Sequence, residues 1–247
     1  MANAHVQTIG GHGTTAGQTS FTSTATSFTA GNLLVACVTW STSGSGPTSI
    51  STPSGWSGGT FKANGAPNGA SWVGYMANNP GGSQSWTWTE SGGSAQGWSY
   101  TILEFSGADT TSPLDLAIVD SATGGTSSTT HDTGPVSGTT QAGDLLIAFF
   151  GSNRSTPPTT TISASSVPSS GWTVDTQYNS TGASPNAGSV AAWQILGSGT
   201  TATNPDCIGT SSATTSGEAF LLTFQAAAGG GGGSTPTGST LAMMGAG

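Results

Sequence analysis

Short apolar runs alternate with long polar stretches along this chain, and the runs have the spacing of strands. Leu33 to Trp40 is a nearly continuous apolar run, and Ser85-Trp86-Thr87-Trp88-Thr89 alternates polar and aromatic residues. Thr60 to Lys62, Ser71 to Met76 and Trp98 to Phe105 read as further strands, preceded by a Thr/Ser-rich opening that carries Val6, Ile9, Phe21 and Phe28. Gly46-Pro47, Asn79-Pro80-Gly81-Gly82 and Gly92-Gly93 supply the turns between them. No stretch of helical period is long enough for a stable amphipathic helix.

The same pattern then returns. Ala30-Gly31-Asn32-Leu33-Leu34-Val35-Ala36-Cys37-Val38 reappears as Ala142-Gly143-Asp144-Leu145-Leu146-Ile147-Ala148-Phe149-Phe150. Pro53-Ser54-Gly55-Trp56 reappears as Pro168-Ser169-Ser170-Gly171-Trp172, and Ala70-Ser71-Trp72-Val73-Gly74-Tyr75 as Gly188-Ser189-Val190-Ala191-Ala192-Trp193. Ile102-Leu103-Glu104-Phe105 reappears as Leu221-Leu222-Thr223-Phe224. The offset grows from about 112 to about 119 residues, as loop insertions would make it. Four blocks in one order predict two related all-β domains, residues 1–108 and 109–228, joined by a hinge at Gly107 to Pro113. Leu114 to Val119 reads as the opening strand of the second. Many strands with regular turns and no alternating helices predict tandem antiparallel sandwiches of jelly-roll type.

Residues 229–247 stand apart as a third segment. Gly229 to Gly233 is a flexible linker, followed by a polar stretch and the apolar end Leu241-Ala242-Met243-Met244. Two readings stay open: a disordered tail, or a tether docking Leu241, Met243 and Met244 on a neighbouring subunit.

Charge changes the picture most. Lys62 and Arg154 are the only basic side chains against ten acidic ones, a formal net charge of −8. So few cations cannot neutralise a run of phosphates or hold an anionic membrane, which excludes nucleic-acid and electrostatic membrane partners. Charged residues make up 5% of the chain, where an ordinary soluble domain carries about 25%. Ser, Thr, Asn and Gln must form the polar surface, and a surface without charge repulsion favours association, here as a homo-oligomer. Disorder, the other reading of so much Gly, Ser and Thr, does not account for regular and repeated apolar blocks. Met1 to His5 has neither the basic region nor the apolar core of a secretory signal. The expectation is therefore synthesis and function in the cytoplasm, or release by lysis or an unconventional route.

Candidate chemistry is sparse. His5, His12 and His131 lie in polar surroundings without a nucleophile elbow, so the sequence predicts no enzyme and no cofactor. Glu90 and Glu104 would serve a glycosidase only if they faced one groove. No metal-ligand spacing is present; a single calcium on loop Asp and carbonyl oxygens stays open, although Asp144, standing where Asn32 stands in the first copy, favours a turn role. Cys37 aligns with Phe149 and reads as a small buried hydrophobe, so two free thiols are favoured over a Cys37–Cys207 bridge across the domains. Trp40, Trp72, Trp86, Trp88 and Trp98 lie only in the first copy, so the shared fold does not demand them. Trp86 and Trp88 share a strand face, and three uses stay open: a glycan-stacking platform, an oligomer interface, or a larger local core.

The Ala-Gly-Asn/Asp-Leu-Leu blocks at Ala30 and Ala142, the Ser-Gly-Trp blocks ending at Trp56 and Trp172, the strands at Tyr75 and Trp193, and the closing strands at Phe105 and Phe224 resemble tandem β-sandwich virion proteins of tailed bacteriophages. Thr111-Ser112-Pro113-Leu114-Asp115 fits that pattern, and similar repeats occur in bacterial surface proteins. The resemblance spans residues 20–227, rests on structural rather than catalytic motifs, and has no counterpart for the tail. It implies a capsid decoration or cement protein on the virion surface, with the major capsid protein or other virion proteins as partners. The alternative is a carbohydrate-binding module or adhesin that uses the Trp-rich face of the first domain.

Overall fold

The structure, a computed structural model, describes residues 2–13, 15, 17–64, 69–122, 128–154, 163–165, 170–180 and 186–228. Among them there are strands and turns but no helix, and every sheet pairing is antiparallel. The first half contributes β1 (Ala4–Gly13), β2 (Ser20–Thr22), β3 (Thr26–Phe28), β4 (Leu33–Thr42) and β5 (Ser49–Ile50). It continues with β6 (Ser57–Ala63), β7 (Gly69–Met76), β8 (Gly82–Gln84), β9 (Thr87–Ser91) and β10 (Ala95–Ser106). Its main sheet runs β1-β10-β4-β7-β6, accompanied by two small sheets, β2-β9-β5 and β3-β8.

The second half contributes β11 (Val119–Ala122), β12 (Ser128–Asp132), β13 (Leu145–Arg154) and β14 (Ser163–Ser165). After them come β15 (Thr173–Val174), β16 (Tyr178–Asn179), β17 (Asn186–Ile195) and β18 (Ile208–Phe224). Its main path is β11-β18-β13-β17-β15, with β16 also on β17 and with β12 and β14 on the early part of β18. Strand β18 thus does in one piece what β9 and β10 do in two. The first half breaks that line at Gly92-Gly93, where Gly92 has φ +82°; in the second half the strand continues through Gly217.

Pairing repeats without a slip. Cys37 lies opposite Val73 and Thr101, and Phe149 lies opposite Ala191 and Phe220, the corresponding positions of the repeated blocks. The Ala-Gly-Asn/Asp turn before each central strand needs its glycine, since Gly31 and Gly143 sit at φ +84° and +89°.

Strand β4 is buried at every position, and its two faces go to different places. Leu34, Ala36, Val38 and Trp40 pack with Phe21, Trp72, Trp88, Tyr100 and Ile102 inside the first half. Leu33, Val35 and Cys37 pack with Leu145, Ile147, Phe149, Phe220, Leu222 and Phe224 of the second. A strand covered on both faces reads as a continuous apolar run, which is why Leu33 to Trp40 shows no alternation. The two main sheets therefore lie face to face across a shared core, and the outer face of the second packs on Val136, Cys207 and Trp172.

Two expected strands move. Leu114 to Val119 does not open the second half as a strand: Leu114 makes one bridge to Phe224, and β11 starts at Val119. The Thr223 hydroxyl takes the Leu116 N–H at 2.9 Å, diverting the ladder to a side chain. Strand β9 starts at Thr87 rather than Ser85, because the Trp86 N–H donates to Ser23 Oγ at 3.0 Å.

Candidate functional site

The tryptophans of the first half do not form an exposed face. Trp40, Trp72 and Trp88 are fully buried, Trp86 is buried at its edge, and Trp98 is half-buried against the same cluster. Alternation decides this: Thr87 and Thr89 take the solvent side of β9, so Trp88 points inward. Three of the indole N–H groups are bonded within the fold, Trp40 donating to the Gln18 carbonyl, Trp72 to Thr52 Oγ1 and Trp98 to Gln18 Oε1, while Trp88 Nε1 is buried without a partner among the described residues. A sugar-stacking platform or oligomer face made of these five rings is thus replaced by an aromatic core. The tail candidates Leu241, Met243 and Met244 lie outside the described residues.

Glu90 and Glu104 are both buried, at opposite ends of the first half. Glu104 pairs in register with Leu34 and accepts from the Thr29 N–H, Asn32 Nδ2 and Gln7 Nε2 at 2.8, 2.7 and 2.6 Å. It clamps the turn before β4. Glu90 sits beside the Gly93 N–H near the Thr42 end, with burial raising its pKa. Seven or so residues of strand separate the two ends, about 25 Å at the usual rise. They face no common groove.

The most distinctive polar cluster lies in the seam between the halves. Beyond Cys37 the shared core turns from apolar to hydroxyl-rich: Thr39 from β4, Ser71 from β7, Ser99 and Thr101 from β10, Ser189 from β17 and Glu218 from β18 are all buried. Ser71 Oγ donates to Glu218 Oε2 at 2.8 Å, Thr39 Oγ1 bonds Ser71 Oγ at 2.8 Å, and Thr101 meets Ser189 at 3.2 Å. Glu218 Oε1 and Ser99 Oγ have no partner among the described residues. Burial pushes the Glu218 carboxyl up to about 8, against the opposing Ser71 hydrogen bond, so it is neutral at pH 7. Gly151 makes room for it: a Cβ there would come within 2.6 Å of Thr39 Oγ1 and closer still to Ser71 Oγ.

Side-chain contacts close the rim of this seam. Lys62 Nζ of β6 lies 2.5 Å from Asp120 Oδ1 of β11. On the other edge, His5 Nε2 of β1 is 2.9 Å from Thr8 Oγ1 and 3.7 Å from Asp175 Oδ2, and Thr8 Oγ1 donates to the same carboxylate. Asn3 Nδ2 reaches the Gly143 carbonyl at 2.9 Å, and Tyr75 packs edge-on against Phe224.

The turns before the two central strands differ in charge. Where Asn32 meets Glu104, Asp144 meets a second acid, Asp115. Burial first, and the Asp115 carboxyl next to it, push Asp144 up to about 6 despite the Gln141 N–H it accepts. Asp115 Oδ2 is buried without a partner among the described residues. No group of three His, Cys, Asp or Glu side chains that could hold a metal ion occurs among the described residues. Cys37 and Cys207 are both free and buried, and burial pushes both thiols up.

A feature that residue-by-residue reading missed is the surrounding of His131. It is buried, its Nε2 is 2.8 Å from Thr215 Oγ1, and burial holds its pKa down. It lines an open cleft of about 280 Å³ between β11 and β12. Comparison with protein families, with curated proteins and with solved structures finds no match to this chain.

Proposed function

We propose that this chain is a non-enzymatic structural protein of a virion. In this reading it is a decoration or cement protein on a tailed-phage capsid, or a related head or tail accessory protein. It is made in the host cytoplasm and displayed on the particle surface, and its partners are the major capsid protein or other virion proteins and further copies of itself. The observation that carries the reading is the seam: two similar halves are joined through a continuous apolar core, a buried hydroxyl–carboxyl cluster and contacts on both rims. A building block that bears load between subunits needs such a rigid junction, and burial on this scale supplies it. Its surface is rich in hydroxyl and amide groups and nearly free of cations, which suits broad contacts with neutral neighbours.

The finer fold belongs to the same proposal. We infer a jelly roll in each half, a reading supported by the order β1-β10-β4-β7 with β2-β9-β5 and the like order β11-β18-β13-β17 with β12-β18-β14. Together with the unbroken register, this favours an internal duplication whose copies pack like the protomers of a twofold dimer.

The test is direct. Particles purified from cells producing this polypeptide are analysed by mass spectrometry, and the purified protein is added back to stripped shells. We expect a fixed copy number per particle and a higher shell-disruption temperature after addition. Particles that lack the polypeptide and shells that ignore it would refute the reading.

A further inference from the structure

The main sheet of the first half ends on two edges that are built differently. An edge strand offers a row of unpaired backbone N–H and C=O groups, and proteins guard it with charge, proline or a bulge. Strand β6 is guarded: its register shifts between Ser57 and Thr60, Gly58 has φ +62°, and Lys62 stands on the stretch that remains. Strand β1 is not. It holds no proline and no Lys, Arg, Asp or Glu, and after a shift at Val6 its register runs unbroken over the seven residues from Gln7 to Gly13. Among the described residues its only ladder is with β10, and the backbone of residues 7–13 makes no bond outside that ladder. Its faces, by contrast, are covered. A Cβ points out of the plane of a sheet, so the atoms nearest a missing Cβ mark what lies over that face. At Gly10 they belong to the Tyr178 ring of the second half, and at Gly11 to the Tyr100 ring of the first-half core. Rings clamp β1 from both sides, and positions 10, 11 and 13 have no side chain to screen the edge. Val6 and Val174, the two exposed large hydrophobics among the described residues, lie along the same border: Val174 precedes Asp175, which accepts from Thr8 of β1.

We propose that β1 pairs antiparallel with β1 of a second copy of this chain, joining two first-half sheets into one across a twofold axis. The contact deepens the proposed function, which calls for copies of itself as partners, and rests on that reading for its use, although the pairing needs no particle. A twofold contact brings the residues of an edge against those of the same edge, so charge on the strand is the first obstacle. Lys62 opposes self-pairing at β6 by like charge, and the neutral β1 carries no such obstacle. With charged residues at 5% of the chain, little repulsion elsewhere keeps two copies apart. Main-chain hydrogen bonds supply the attraction, and Val6 and Val174 gain cover beside the new ladder. A ladder of seven residues buries less than a standard interface, so the dimer dissociates on dilution.

The test is sedimentation equilibrium of the purified full chain from micromolar to millimolar concentration, with amide hydrogen exchange measured at both ends of that range. We expect the mass to rise from one chain to two. Alternate amides of residues 7–13 should exchange more slowly at the high concentration, while those of residues 60–63 stay the same. The double variant Val6→Lys with His12→Lys, at two exposed positions of β1, sets like charges across the axis and should weaken association about tenfold. Ser57→Lys, exposed on β6, should leave association unchanged. Near-UV circular dichroism of the aromatic core checks that each variant is folded; if the double variant is not, the exchange difference in the parent protein decides. The proposal falls if the chain stays single at millimolar concentration, if the β1 lysines leave a dimer intact, or if Ser57→Lys is what weakens it. It falls equally if the amides of residues 7–13 are protected alike at both concentrations, which would mean that another part of the same chain covers the edge. Because free protein is measured, a negative result leaves the virion reading standing, and absence of the polypeptide from particles would leave a measured dimer standing.

Discussion

The His5 imidazole lies almost parallel to the Trp193 indole, with ring centroids 5.0 Å apart and planes at 18°, so an edge strand of one half is stacked on the central sheet of the other. Phe105 closes the group edge-on to both rings. Such a pair contributes about 0.5–1.5 kcal/mol beyond its buried area. A double-mutant cycle of His5→Ala and Trp193→Ala, read by urea unfolding, should show a coupling of that size. Additive losses would mean that the stack does not help hold the halves together.

Glu218 sets a pH dependence whose sign follows from its raised pKa. Its ordinary value is near 4.5 and its folded value is about 8, so between these limits the unfolded chain gives up a proton that the folded chain keeps. Stability is therefore fully present below about pH 4.5, falls as pH rises toward 8, and levels off above it. The slope from this group is about 1.4 kcal/mol per pH unit. Glu218→Gln keeps an acceptor for Ser71 and removes the titration. Urea midpoints of the variant should exceed those of the parent at pH 8 and converge with them at pH 4. Parallel curves for the two proteins would contradict the assignment.

Cys37 and Cys207 should be inert toward a thiol-specific reagent at pH 8 in the folded protein and should both react in denaturant. The reason is that each thiol is buried and its ionisation disfavoured. Rapid labelling of either cysteine in the native state would show that the seam, or the core around Val136, opens.

Much of the first half was legible because its central strands combine apolar runs with unmistakable turns. The repeated blocks also anticipated the pairing register, since Cys37 and Phe149 have corresponding neighbours. The face-to-face packing of the halves was less legible, although the lack of alternation from Leu33 to Trp40 is its physical trace. Trp88 could have been placed inside from the exposed threonines on either side of it. The cleft at His131 was invisible to any scan for motifs. Leu114 to Val119 misled for a different reason: a distant hydroxyl, on Thr223, captures its backbone.

Asp144 should be replaceable with profit. Asn32 shows that an amide fits the same turn in the first half, and Asn at 144 would keep an acceptor for the Gln141 N–H while removing one member of an acid pair. The raised pKa of Asp144 means that folding loses stability as pH climbs from about 4 to about 6. Asp144→Asn should therefore stabilise the protein at pH 7 by about 1–3 kcal/mol and have little effect at pH 3. A calorimetric scan at both pH values separates the outcomes, and destabilisation at pH 7 would show that the carboxylate is needed.

Gly151 is the residue on which the seam turns, for a steric reason independent of charge. Its φ is not in the left-handed region, so conformational freedom does not explain the glycine. What explains it is the space taken by Ser71 Oγ, Thr39 Oγ1 and Glu218 Oε2, which converge on the point where a Cβ would stand. Gly151→Ala must push that cluster apart, breaking the bonds that link β4, β7 and β18, and overpacking of this kind costs about 1–3 kcal/mol. Gly46→Ala is the matched control, since a Cβ there meets nothing nearer than 3.6 Å. Hydrogen exchange should report the loss locally, with faster exchange of the Ser71 and Glu218 amides in Gly151→Ala and no change in Gly46→Ala. If the alanine at 151 is as stable as the one at 46, the two sheets are not in close contact there and the rigid junction is lost with them.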